Sequence, residues 1–181
     1  DEQEVRNKLI NLLNISKGNR VLDIACGTGR DSELIAERLD ESGELYMQDI
    51  STKMLQRCSE RIHRCNLTKE FCLANAAFLP FPDNFFDAVY SFGGLGEFPD
   101  IPKCLSEMAR VTKVGGKVVV GDESMPPWLR ETEFSKILTT TNPQFTANLP
   151  LQHLPIESRD VRLQWVIGGV FYVIDFRVGE G

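Results

Sequence analysis

The sequence has no block of Lys and Arg, no Cys-x-x-Cys pair, no long apolar run and only two histidines. Each absence removes a class of function. With a net charge of −6 and no basic stripe, the chain has nothing to neutralise a run of phosphates, so no nucleic acid partner is expected. The most basic stretch, Lys53 to Arg64, spaces Arg57, Arg61 and Arg64 along a helix and reads as a solvated face. Five cysteines (Cys26, Cys58, Cys65, Cys72, Cys104), odd in number and without paired spacing, argue against a disulfide framework and for a reducing cytoplasm. Cys58 and Cys65 have only His63 near them, which favours apolar packing over a metal site, and no metal is expected. The longest apolar run, Trp165 to Ile174, is too short to span a bilayer, and no signal peptide is visible. The sequence opens within a helical pattern and without methionine, so a preceding segment is expected to have been removed or to lie outside it.

What is present is one organising stretch, Val21-Leu22-Asp23-Ile24-Ala25-Cys26-Gly27-Thr28-Gly29-Arg30. The apolar run reads as a strand buried on both faces. It breaks into Cys26-Gly27-Thr28-Gly29, where the backbone must turn and leave room for something to approach it. A helical pattern starts near Asp31, so the loop delivers its amides to a helix N-terminus. Strand, glycine turn and helix describe the first unit of a Rossmann-like sheet, with a ligand above the strand's carboxyl end. A dinucleotide fingerprint needs a third glycine, and Ser32 stands there instead, which discourages a nicotinamide-dependent oxidoreductase. An ordinary strand-to-helix turn is the competing reading of the decapeptide alone.

The remaining pattern extends the same architecture. An N-terminal helix over residues 3–15 is expected to pack on the sheet's edge. Helices follow over 31–39, 52–65, 101–111 and 129–138, with strands over 44–50, 70–74, 86–91, 117–121, 161–167 and 170–178. Gly168-Gly169 signals a two-residue hairpin turn. Asp49 ends the second strand 20 residues beyond Gly29, the offset at which such folds place an acid on ribose hydroxyls, while Ser51 suits a helix N-cap. The 181 residues fit one domain: a helix over 1–18, a core over 19–121, a helix and loop over 122–159, and a hairpin over 160–179.

Three stretches carry a resemblance to a known family. Asp23-x-Ala-Cys-Gly-Thr-Gly29 resembles the first motif of the class I S-adenosylmethionine-dependent methyltransferases, closest to the ubiquinone/menaquinone methyltransferase-like small-molecule branch. Asn75-Ala76 followed by Leu79-Pro80-Phe81 and the Phe86-Asp87 strand is similar to later motifs, with Asn75 where the family usually has aspartate. Glu107 to Gly116 resembles the family's helix-to-strand connection, its proline replaced by Val114. The resemblance covers about Asn19 to Gly121 and implies an α/β fold: a doubly wound seven-stranded sheet, mostly parallel with a C-terminal antiparallel hairpin.

The implied activity is methyl transfer from S-adenosylmethionine, giving S-adenosylhomocysteine, to an O, N or C nucleophile of a small molecule. On that resemblance Ala25, Gly27, Thr28 and Gly29 approach the methionine part, and Asp23 orients its ammonium through the loop. Asp49 holds the ribose, Ile50 packs on the adenine, Asn75 and Ala76 meet its edge, and Ser91 and Phe92 flank the methionyl group. For a general base, His153 in the loop over the pocket has a suitable intrinsic pKa, with Glu97 and Asp122 or Glu123 as rivals at strand ends. Phe92, Phe98, Trp128 and Phe145 hint at an apolar or aromatic acceptor. A non-catalytic S-adenosylmethionine-binding module is the alternative from another class.

Overall fold

A computed structural model describes residues 2–181. In chain order the main elements are α1 (Glu2–Leu12), β1 (Arg20–Ile24), α2 (Arg30–Leu39), β2 (Glu44–Asp49), α3 (Thr52–Ile62), β3 (Thr68–Leu73) and β4 (Phe86–Phe92). They continue with α4 (Ile101–Val111), β5 (Thr112–Glu123), α5 (Pro127–Arg130), α6 (Glu133–Thr141), β6 (Ser158–Val166) and β7 (Phe171–Val178). Seven strands form one sheet in the order β3-β2-β1-β4-β5-β7-β6. The first five run parallel, and β7 runs antiparallel to both β5 and β6. This is the mostly parallel α/β sheet with a terminal antiparallel pair that the pattern predicts.

The sheet separates two apolar cores, as the unbroken hydrophobic runs of its inner strands require. One holds Leu22, Val89, Val118 and Ile174 with Leu105 and Met108 of α4. The other holds Val21, Met47, Tyr90 and Val119 with Ile35 of α2 and Leu55 of α3. Leu9, Ile10 and Leu13 join this second core, so α1 and the turn after it cover a sheet face rather than the expected edge. Three closely spaced apolar residues make a stripe too wide for an edge strand to cover.

Other boundaries shift for local reasons. Helix α3 stops at Ile62, not 65, because Lys69 Nζ donates to the carbonyls of Ile62, His63 and Cys65 and so ends the helix with a cation. The single helix expected over 129–138 is two: Thr132 breaks it, its hydroxyl donating to Leu129 O at 2.6 Å and accepting from Ser135 N at 3.2 Å. The hairpin turn is longer than two residues. Val166 pairs with Phe171, which leaves Ile167 to Val170 as the connection, with positive φ at Ile167, Gly168 and Gly169. Strand β5 begins five residues earlier than expected, beyond an irregularity in its ladder with β4.

Candidate active site

The carboxyl ends of β1, β2 and β4 meet around the glycine loop, at the switch point where the strand order reverses. The two loop glycines have different duties. Gly27 has φ +54, and a Cβ built there meets nothing within 4 Å, so the space above it is open. Gly29 has φ +79, but its Cβ would lie 2.6 Å from Cys58 Sγ and 3.1 Å from Cys58 Cα, so it admits α3 rather than a ligand. Between them Thr28 O accepts from Arg61 Nε at 2.9 Å, which gives one arginine of the exposed α3 face a structural task. Ala25, before the turn, is held at φ +53, an unusual conformation for a residue with a side chain.

Asp23 lies 2% exposed beneath the loop. Ser32 Oγ donates to its Oδ2 at 2.5 Å, so the residue that replaces the third glycine is the partner of the buried acid. Burial, reinforced by the charge of Asp31, holds the Asp23 carboxyl well above the usual carboxylate range, against the opposing Ser32 hydrogen bond. Asp31 itself accepts from Arg6 at 2.7 Å and from the buried Tyr90 hydroxyl at 3.2 Å.

Asp49 closes the other side of the crevice. Its Oδ2 accepts from Gly27 N at 2.9 Å and its Oδ1 from Ser51 N at 2.9 Å, leaving further lone pairs for a diol. The N-cap of α3 is Ser51, as the sequence predicts, its hydroxyl accepting from Met54 N at 3.3 Å. Gln48 is an addition that sequence reasoning missed. Its amide oxygen accepts from Ala25 N at 3.2 Å, and its NH2 donates to Ala74 O, so one buried side chain ties the ends of β1 and β3 together. A polar residue inside a buried strand, just before the acid, was the available signal. Beside it Ile50 stands 75% exposed, an apolar surface with nothing on it. Asn75 lies past the end of β3, where its Oδ1 accepts from Ala77 N at 2.9 Å, and Ala76 is buried after it.

On the β4 side Ser91 is fully buried, and its hydroxyl has no hydrogen-bond partner among the described residues. Phe92 stacks on Phe171 with centroids 5.5 Å apart, and Phe145 meets Phe171 edge-on at 6.4 Å. The chain therefore brings Phe92 and Phe145 into one aromatic wall, with Phe171 as the member the sequence did not single out. Phe98 packs against the first core, and Trp128 meets Trp165 edge-on at 6.3 Å. A small cavity of about 190 Å³ over the loop is bordered by Arg6, Ala25, Gly27, Thr28, Arg30 and Phe92. A larger groove of about 380 Å³ between α1, α2 and α3 is lined by acids and arginines that pair with each other, Arg30 with Glu2 and Arg61 with Glu33, and so is already satisfied.

The acid–base candidates are spread out. Glu97 is exposed on a 3₁₀ turn at Leu95–Glu97, beside Gly96. Gly96 N donates to Asp122, whose carboxyl is pushed up by burial, and Asn142 donates to Glu123. The 139–155 segment does reach this end of the sheet, since Ser124 Oγ donates to Ala147 O at 2.7 Å. His153 lies further along it, on a 3₁₀ turn (Pro150–His153) beside α4, its ring hydrogen-bonded to Gln152 at 3.1 Å. Among the described residues no helix is long and apolar enough to cross a membrane.

Known proteins share both the fold and the sequence pattern. Residues 2–138 match the model of the ubiE/COQ5 methyltransferase family. A demethylmenaquinone methyltransferase of Geobacillus sp. (strain WCH70) is 39% identical over 122 residues, 67% of this chain and 52% of that protein. One of Bacillus licheniformis is 40% identical over 121 residues, with the same coverage. The chain thus spans about half the length of the curated relatives it matches. Among solved structures, an Aquifex aeolicus SAM-dependent methyltransferase aligns over 96% of this chain and 89% of its own with a TM-score of 0.67 at 18% identity. A putative methyltransferase of Bacillus halodurans aligns over 98% and 100% with a TM-score of 0.75 at 16% identity. With three quarters of its length under the family model, the chain belongs to the ubiE/COQ5 methyltransferase family.

Proposed function

We propose that this chain is an enzyme that binds S-adenosylmethionine in the crevice above β1 and β2 and methylates a small, planar, apolar acceptor. The observation that carries the reading is the open space above Gly27, where an added Cβ would meet nothing within 4 Å; on the neighbouring strand β4 the buried Ser91 hydroxyl has no partner among the described residues. A buried polar atom left unsatisfied costs free energy unless a ligand or water meets it. The chemistry of the surrounding donors fits the cofactor. Ala25, Gly27, Thr28, Gly29 and Ser91 would border its amino-acid end, Asp49 its diol, and Ile50, Asn75 and Ala76 its base. Asp23, 2% exposed, would act through the loop rather than by contact.

When bound, S-adenosylmethionine supplies a methyl group already activated by its sulfonium. The chain's part is to align and to exclude water. Phe92, Phe171 and Phe145 support a flat acceptor and keep that side dry, in keeping with the demethylmenaquinone methyltransferases it matches. Glu97 and His153 are the proposed proton acceptors, and a changed pH profile in Glu97→Gln or His153→Gln would identify which one serves. A cytoplasmic setting suits a chain whose cysteines are all free thiols.

Isothermal titration with S-adenosylmethionine and S-adenosylhomocysteine tests the reading. Wild-type binding that Asp49→Ala weakens by about 1–3 kcal/mol is expected, the scale for stranding buried polar partners. Asp49→Asn, which keeps the side chain's size, separates loss of the ribose acceptor from collapse of the loop, and melting curves report the latter. Absence of wild-type binding overturns the proposal.

A further inference from the structure

The backbone donors of the glycine loop are mostly spent within the fold. Ala25 N donates to Gln48 Oε1 at 3.2 Å and Cys26 N to Gln48 O at 3.0 Å. Gly27 N donates to Asp49 Oδ2 and Gly29 N to Cys26 O, both at 2.9 Å. Four of the five amides from Ala25 to Gly29 are therefore committed before a ligand arrives. An anion in the cavity above the loop needs a donor from elsewhere. Arg6 of α1 borders that cavity from the opposite side. We propose that Arg6 is a specificity-determining residue, which binds the carboxylate of the cofactor's amino-acid end and makes the site select ligands that carry one. This inference rests on the function proposed above.

Packing holds the guanidinium ready. Leu9 and Ile10, three and four residues beyond Arg6, share its helix face and are buried in the second core. Arg6 thus projects from α1 toward α2, where its Nη1 donates to Asp31 Oδ1 at 2.7 Å. Asp31 is itself fixed, only 8% exposed, with its Oδ2 accepting from the Tyr90 hydroxyl at 3.2 Å. On the other side Arg6 Nε and Nη2 lie 3.0 and 2.9 Å from Glu2 Oε1. Each terminal nitrogen carries two hydrogens, so Nη1 and Nη2 each keep one N–H for a further acceptor. An arginine held on two sides has little rotamer freedom left to lose on binding. Asp31 borders the same cavity and offers a counter-charge to an ammonium, so the pair complements a zwitterion. Arg30 also reaches this border, but its side chain is 57% exposed and paired with Glu2, which makes it the weaker contributor.

Isothermal titration with S-adenosylhomocysteine and with its decarboxylated form tests the assignment. The second ligand keeps the adenosine, the thioether and the amine and lacks only the carboxylate. The wild type is expected to prefer S-adenosylhomocysteine by about tenfold or more, the scale of a charge-assisted hydrogen bond. Arg6→Met keeps an unbranched stem, and its affinity for S-adenosylhomocysteine is expected to fall about tenfold. Its affinity for the decarboxylated ligand should stay within about twofold, so the preference disappears. Arg6→Lys keeps the charge without the fork and should recover part of the preference. Melting curves accompany both variants; if Arg6→Met does not fold, a reduced preference in Arg6→Lys decides. Affinity for both ligands falling in the same proportion would assign Arg6 to holding Asp31 and the loop, and overturns the inference. An unchanged preference in the variants, or no preference in the wild type, overturns it while leaving the proposed function in place. A wild type that binds neither ligand overturns that function and this inference with it.

Discussion

Replacing Ser32 by alanine isolates the one hydrogen bond that compensates a buried acid. The hydroxyl is fully buried and donates to Asp23 Oδ2 at 2.5 Å. Leaving a buried acceptor without its partner costs about 1–3 kcal/mol. Alanine is the better helix former by about 0.5 kcal/mol, which offsets part of the loss in the first turn of α2. The expected cost is therefore about 0.5–2.5 kcal/mol, or a Tm lower by about 1–10 °C for a domain of this size. Its pH dependence has a fixed sign. Asp23 is raised above its unfolded value of 3.8, so its stability contribution is full in acid and is lost as pH rises through the folded value. Ser32 opposes that rise by favouring the charged form, so removing it raises the folded value further. The deficit of Ser32→Ala relative to wild type is then constant below the wild type's folded value and grows as pH rises through it. Urea unfolding of both chains at pH 5 and pH 8 reads this directly. A deficit that is absent, or that shrinks toward pH 8, refutes the account of Asp23.

Three further substitutions separate folding from binding. Gly29→Ala, with φ +79 and Cys58 Sγ 2.6 Å from the new carbon, is expected to destabilise the fold by about 2–5 kcal/mol in denaturant titration. Gly27→Ala meets no neighbour and should cost only about 1–2 kcal/mol of conformational strain, yet abolish S-adenosylhomocysteine binding by calorimetry. Ser91→Ala removes a hydroxyl that has no partner among the described residues, so its melting temperature should hold or rise while its cofactor affinity falls by about 1 kcal/mol.

The fold was legible where local and global signals coincide. β1, the glycine loop and α2 could be placed from ten residues because an apolar strand, a turn that only small residues allow and a helical period follow each other without a gap. The pattern placed Asp49 at the end of β2, and capping chemistry placed Ser51 at the N-cap of α3. What was missed depends on residues far apart in the chain. Ser32 read only as a missing glycine, because Asp23 becomes its partner across the loop once strand and helix are packed. Gln48 joins Ala25 to Ala74, a relation that no window of sequence contains. The different place of α1 has the same origin: its apolar stripe predicts burial, but the stripe is buried in the core that α2 shares with the sheet, an arrangement made by residues far apart in the chain. The hairpin's extra residues reflect Ile167 at positive φ, which its β-branched side chain gave no reason to expect.

The position of β7 between β5 and β6 has a consequence for synthesis. Strands β1 to β5 can assemble in chain order, but the neighbour that closes β5 lies beyond residues 124–170. Until Phe171 to Arg177 emerge, Lys117 to Glu123 present an unpaired strand edge with Val118, Val119 and Val120 at its centre. At ribosomal rates of about 5–20 residues per second that interval is roughly 3–10 s, long compared with hairpin formation. An open apolar edge is a template for pairing with other chains. The half-made protein is thus at greatest risk of aggregation after its ligand crevice is already in place, and a chaperone that shields β5 during those seconds should raise the yield more than any change within the crevice.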